Sequence, residues 1–172
     1  MEKLRGIIGL PVLETETGMQ IGEVVEVVLN IEESKICGFV IADERWSATK
    51  HAIAFNDVFS LGRDAIMVRN QHAIGQLSTI LSGEHPYYLR DLFDKQIFTD
   101  SGFCLGVLVD IGFDNGTGEM KWYQVSDGII ADLLDGRMNM PLPQTQIIGQ
   151  DKVIVPEVMA KLLHGEAKKH KG

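Results

Sequence analysis

The chain has 172 residues, 45% hydrophobic and 23% charged, with a formal net charge of −8 at pH 7. These are the proportions of a folded globular protein, and the excess of acid argues against sequence-independent nucleic-acid binding, which rests on clustered Lys and Arg. No run of about 18 apolar residues occurs, so no transmembrane helix is expected. The start, with its short Ile7–Leu13 run broken by Pro11, lacks the plan of a signal peptide. The expected location is the cytoplasm, and Cys37 and Cys104, without CxxC spacing, fit free thiols there.

The same elements are read twice along the chain. The stretch Glu14-Thr15-Glu16-Thr17 leads into Gly18 and Gly22, where a tight reversal or a bulge favours glycine. The β-branched run Val24–Ile31 predicts a strand in which Glu26 faces solvent. Glu32–Lys35 predicts a turn, Ile36–Ala42 the return strand, and Asp43–Thr49 a polar loop. A further strand pair is tied by Gly62-Arg63-Asp64, and helical spacing over His72–Leu81 predicts a connecting helix stopped by Ser82-Gly83.

Shifted by 84 residues the pattern returns, with Gly102 and Gly106, the strand Val107–Asp114 with Asp110 in the place of Glu26, the turn Asn115–Gly118 and the strand Met120–Ser126. Ser60–Val68 returns 87 residues later as Ile147–Val155, with Gly149 and Asp151 in the places of Gly62 and Asp64. The difference places one insertion in a loop. There the second copy has a short helix predicted over Asp127–Gly136, with Arg137–Pro141 completing the insertion. Pro156–His164 predicts a terminal helix with Val158, Leu162 and Leu163 facing inward.

The chain is therefore read as two copies of one small module. Barrel 1 covers 1–71, a partly helical connector 72–86, barrel 2 87–160 and a basic tail, expected to fray, 161–172. Strands of this number and spacing point to a mainly β fold of two small closed barrels, because closure removes exposed edges.

Gly18-x-x-x-Gly22-x-Val24-x-x-Val27, the hairpin after it, Phe55-Asn56-Asp57-Val58 and Gly62-x-Asp64-Ala65-Ile66-Met67-Val68 resemble the PRC-barrel pattern. That family is named for the cytoplasmic domain of the photosynthetic reaction-centre H subunit and includes the C-terminal domain of the ribosome-maturation factor RimM. The second copy is similar more loosely, with Pro143-Gln144-Thr145 in place of Asn56-Asp57-Val58. The tandem arrangement, with Val125–Gly128 and Leu133–Arg137, is similar to the YrrD-like bacterial proteins, a group of unknown function. The resemblance implies two tandem six-stranded β-barrels. It implies little about activity, since the shared positions are turns and core.

The search for chemistry returns little. His51, His72, His85, His164 and His170 form no HxH, HExxH or Cys–His pattern. The Asp110–Glu119 segment has Asn115 where an EF-hand loop needs glycine. No GxSxG, Walker A or strand-following GxGxxG pattern occurs. No catalytic residue, metal ligand or cofactor is assigned, and the chain is read as a non-enzyme.

Where the copies differ, Arg45 and Trp46 stand in the first and Arg137 and Met138 in the second. Binding hot spots use Trp, Arg and adaptable Met, so these four are the candidate partner-binding residues. The leading reading is an adaptor that docks on a larger protein or ribonucleoprotein assembly. Its acidity favours a basic partner; a homodimer and peripheral docking on a membrane complex stay open. The alternative is a small-ligand or metal-binding module using an inter-barrel cleft near His85, Tyr87 and Tyr88.

Overall fold

The β-branched runs form the long strands that their composition predicts. The computed structural model describes residues 2–45, 51–81, 85–127 and 137–165. It divides into two units, Met1–Arg90 with Phe113–Met120, and Asp91–Gly112 with Lys121–Gly172. The first copy holds β1 (Glu2–Lys3), β2 (Pro11–Glu14), β3 (Gln20–Asn30), β4 (Lys35–Ala42), β5 (His51–Ala54), β6 (Ser60–Leu61), β7 (Ile66–Val68) and β8 (Ile74–Gln76), followed by α1 (Leu77–Ile80) and β9 (Pro86–Tyr88). The second holds β10 (Gln96–Thr99), β11 (Cys104–Phe113), β12 (Met120–Ser126), β13 (Arg137–Pro141), β14 (Ile147–Ile148), β15 (Lys152–Val155) and β16 (His164–Gly165).

The first sheet pairs in the order β6-β7-β2-β3-β4-β5-β8, with β9 on β3, and the second in the order β14-β15-β10-β11-β12-β13-β16. Each strand of the second path has its counterpart at the same place in the first. Each sheet contains a parallel pair, β2 with β7 and β10 with β15. The fold is mainly β, with two tandem barrel-like modules. Among the described residues each path counts seven strands against the six implied by family resemblance; the short β8 and β16 lie in segments whose patterns read as helix.

In the first unit Val27, Phe39, Ile53 and Ile66 are fully buried. The opposite face is covered as well. There α1 brings Leu77 and Ile80 to Val28, Val40 and Ala52, and Tyr88 of β9 packs beside them. Gly38 makes room for the helix, since a Cβ there would stand 2.4 Å from the Ile53 carbonyl oxygen and 2.9 Å from Ile80 Cδ1. The second copy fills the equivalent place by another route. Gly112 stands where Val28 does and Trp122 where Gly38 does, and a Cβ on Gly112 would be 2.1 Å from the indole. The bulk has moved from one strand to its neighbour.

Covering both faces corrects the expectation that Glu26 and Asp110 face solvent: they are 6% and 7% exposed. Each carboxylate accepts from the next backbone N–H, Val27 N to Glu26 Oε1 at 2.9 Å and Ile111 N to Asp110 Oδ1 at 2.8 Å. In β3 this coincides with a bulge, where the register passes from Val24↔Ile41 to Glu26↔Val40. The bulge frees an N–H from the ladder, and the side chain answers it.

The helix predicted over His72–Leu81 is only α1. Gln71–Ala73 forms a 3-10 turn and Ile74–Gln76 pairs with β5, so sheet pairing overrides a weak helical pattern containing Gly75. The terminal helix is likewise a 3-10 segment, Glu157–Lys161, followed by β16 on β13. It buries Met159 and leaves Val158 and Leu162 exposed, against the expected facing. Arg137–Pro141 is a strand paired with β12, not an inserted loop. The helix expected over 127–136 lies, beyond Asp127, outside the described residues, as does the tail from 166. Within the first unit Pro86–Tyr88 pairs with Val28–Asn30, and Ile36 N and Met120 N bond to Gly118 O and Ser34 O at 2.9 and 2.8 Å.

Candidate functional site

Three recesses adjoin on the first unit, built by turns that the sheet positions. The first, about 600 Å³, lies between the β2–β3 turn and the 3-10 turn after β7 and is lined by Glu14, Glu16, Met19, Ile21, Arg45 and His72 among others. Gly18, at φ 70°, turns the chain back so that its N–H bonds to Glu14 O at 2.9 Å. The Thr17 hydroxyl donates to the Glu14 carboxylate and accepts from Met19 N at 3.2 Å. The result is a carboxylate only 7% exposed and, beside it, a methionine 52% exposed.

The second recess, about 660 Å³, shares Arg45 and adds Glu23, Val25, Asp43 and Glu44. Val25 is 48% exposed because the bulge turns it out of the ladder. The third, about 640 Å³, shares Asn70 and His72 with the first and contains Phe59 beneath Arg69, whose guanidinium carbon lies 4.8 Å from the ring centre. Asn70 forms the ridge between them, accepting from His72 N at 3.0 Å and donating to Glu16 at 3.4 Å.

Arg45 is held by Asp43 through Nε and Nη2, both at 2.7 Å. The Arg45 side chain, then its backbone N–H, holds the Asp43 carboxyl at about 2, well below its ordinary value, and Asp43 in turn raises the guanidinium, with Glu14 adding a weaker field. Among the described residues, the acids of the two recesses outnumber the one guanidinium between them, so the arrangement suits a cation.

The sequence-derived candidates fall in different places. Arg45 lies in these recesses, and Trp46 lies outside the described residues. Arg137 and Met138 begin β13 in the second unit, exposed and half-buried, paired with Ser126 and Val125. His85 is exposed at φ 52°. Tyr87 and Tyr88 are strand residues opposite Leu29 and Val28, and Tyr88 carries Arg90 over its ring at 4.9 Å. Among the described residues no group of three or more His, Cys, Asp or Glu is placed to hold a metal. Cys37 is half-buried and Cys104 exposed, both free, and burial, then the Glu33 charge, pushes the Cys37 thiol up.

Of the glycines singled out in the sequence, Gly22 lies within β3 and Gly106 within β11. Gly18, Gly102 and Gly106 have positive φ; Gly22 is required by close approach, a Cβ there falling 2.2 Å from Ile41 Cγ2. Gly62-Arg63-Asp64 and Gly149-Gln150-Asp151 close the antiparallel pairs β6–β7 and β14–β15. Sequence reasoning missed Glu14, Met19 and His72. The signal for Glu14 is a difference between copies: threonine stands at its place in the second.

The chain is thus a duplicated small β module whose turns carry different side chains in the two copies. A model of the PRC-barrel domain matches residues 1–73 and again 84–162, and the chain belongs to the PRC-barrel family. PRC-barrel domains are interaction modules, and the family is generally non-catalytic. Comparison with curated proteins gives no match. Among the described residues no helix is long and apolar enough to cross a membrane.

Proposed function

We propose that this chain is a non-enzymatic cytoplasmic adaptor that docks on a larger protein or ribonucleoprotein assembly through the turns of its barrels. One observation carries the reading. The same turn in both copies presents a large apolar side chain to solvent, Met19 at 52% and Phe103 at 64% exposure. The equivalence is one of hydrogen bonding: Glu14 N bonds to Met19 O at 2.9 Å, and Thr99 N to Phe103 O at 2.8 Å. Exposed apolar residues held on rigid turns suit partner contact better than folding.

Affinity capture from native lysate at physiological salt tests this. The full chain should retain a reproducible protein partner, and Met19→Ser with Phe103→Ser should lose it without lowering Tm. Capture of nothing above background by the unaltered chain would sink the reading. The small-ligand alternative draws less support, since Tyr88 is engaged in packing with Val28 and Leu77.

A further inference from the structure

We propose that the two recesses meeting at Arg45 form a docking groove for a lysine-bearing segment of a basic partner protein. Glu14 and Glu16 receive an ammonium group, and Met19 and Val25 lie along aliphatic stems. The inference rests on the adaptor reading and gives that partner its chemistry and its seat.

The second copy serves as the control. Glu14 and Thr99 occupy one position: Gly18 N and Gly102 N bond to their carbonyl oxygens, and the next residues, Thr15 and Asp100, bond through N to Val68 O and Val155 O. In the second copy the Thr99 hydroxyl completes the turn by accepting from Phe103 N at 3.1 Å. The fold therefore closes this turn without a carboxylate. Burying one is costly unless a cation answers it. Arg45, in the same recess, is already clasped by Asp43 through two short bonds.

The charge of the groove points the same way. Among the described residues, Glu14, Glu16, Glu23, Asp43 and Glu44 line it against Arg45 alone of the Lys and Arg side chains. Each recess also contains an exposed large apolar side chain, Met19 in one and Val25 in the other. A lysine matches both features, because its stem lies on apolar surface while its head seeks charge.

The test is fluorescence anisotropy of the full chain with labelled acetyl-Gly-Lys-Leu-Lys-Val-Lys-Gly-amide. Saturable binding that weakens with salt is expected. Glu14→Gln keeps an acceptor for Thr17 and should weaken binding by about tenfold at unchanged Tm. Should that variant unfold, the exposed Glu16→Gln should weaken binding in its place. Glu32→Gln with Glu33→Gln, which removes two charges from the β3–β4 turn, should leave affinity unchanged.

Equal affinity of the unaltered chain and a folded Glu14→Gln chain overturns the proposal. Spermine displacing the peptide at matching concentration overturns it in favour of a free polyamine. Tighter peptide binding by Lys168→Gln, Lys169→Gln, Lys171→Gln overturns it in favour of the chain's own tail. A Glu14→Gln chain that still captures its lysate partner removes this groove and leaves the adaptor reading standing. An unaltered chain that captures nothing removes the adaptor reading itself.

Discussion

Glu26 and Asp110 are acids in the middle of apolar strands, and both are there for the backbone. Each accepts the N–H of the residue that follows it, and Glu26 also meets Arg90 Nε at 3.3 Å. Removing a buried acceptor leaves its donor unsatisfied, at about 1–3 kcal/mol. Glu26→Ala and Asp110→Ala should each lower stability by that order in urea denaturation, and Glu26→Gln, which keeps the acceptor, by less. A second residue makes the protein sensitive to alkali. Tyr123 is fully buried, its hydroxyl donates to Gln146 Oε1 at 2.9 Å, and burial pushes it up to about 12 from an ordinary 10. A folded value above the unfolded one means that the stability is present in full below pH 10 and is lost as pH rises from 10 to about 12. The loss should reach about 3 kcal/mol, and absorbance titration should show the Tyr123 hydroxyl ionising near pH 12.

Turns and covers distinguish the elements of the two copies. Gly22 and Gly106 sit at matching points of β3 and β11, and both forbid a side chain, for unequal reasons. A Cβ on Gly22 meets the tip of Ile41, which can shift, and then Ala42 O at 3.2 Å. A Cβ on Gly106 meets the Ser126 carbonyl oxygen at 2.1 Å, in a backbone at φ 133°. Gly22→Ala should cost about 1–3 kcal/mol, and Gly106→Ala more than about 3 kcal/mol, with the order of the two Tm values as the check. The cover over β3 and β4 is equally local. Leu77→Ala removes the buried residue of α1 from the cluster of Val28, Val40 and Ala52 and should destabilise by about 2–5 kcal/mol.

For the whole molecule the duplication is one of topology before it is one of residues. The two pairing orders coincide, while the side chains that fill equivalent places differ, as Val28 and Gly38 against Gly112 and Trp122 show. The first unit nevertheless reaches beyond its repeat, since β9 completes β3 and Arg90 answers Glu26. A fragment ending at residue 90 should therefore melt higher than one ending at residue 84, which loses both. Equal Tm values would show that β9 adds nothing to the first unit.

The repeat, the mainly β class and the hairpin turns were legible because they depend on local rules: β-branched runs make strands, and Gly with Asn or Asp makes turns. Gly18 and Gly102 could be read for the same reason, since positive φ belongs to a single residue. The second glycine of each pair could be marked but not explained, because the reason for Gly22 is Ile41 on another strand. Helical spacing over His72–Leu81 misled, since a short segment beside a sheet edge gains more from pairing with β5 than from its own weak periodicity. The burial of Glu26 was hidden too, because alternation cannot reveal that a strand is covered on both faces. Arg45 was legible as a candidate from its residue type, whereas Glu14 and Met19 were not. Their meaning arises only when the β2–β3 turn, the bulge at Val25 and the turn before β8 converge. Sequence by itself thus determined the module, its duplication and its turns, which follow from nearest-neighbour geometry. Tertiary structure alone decided which acids are buried, which apolar residues are exposed and where they meet, because these depend on contacts between residues far apart in the chain.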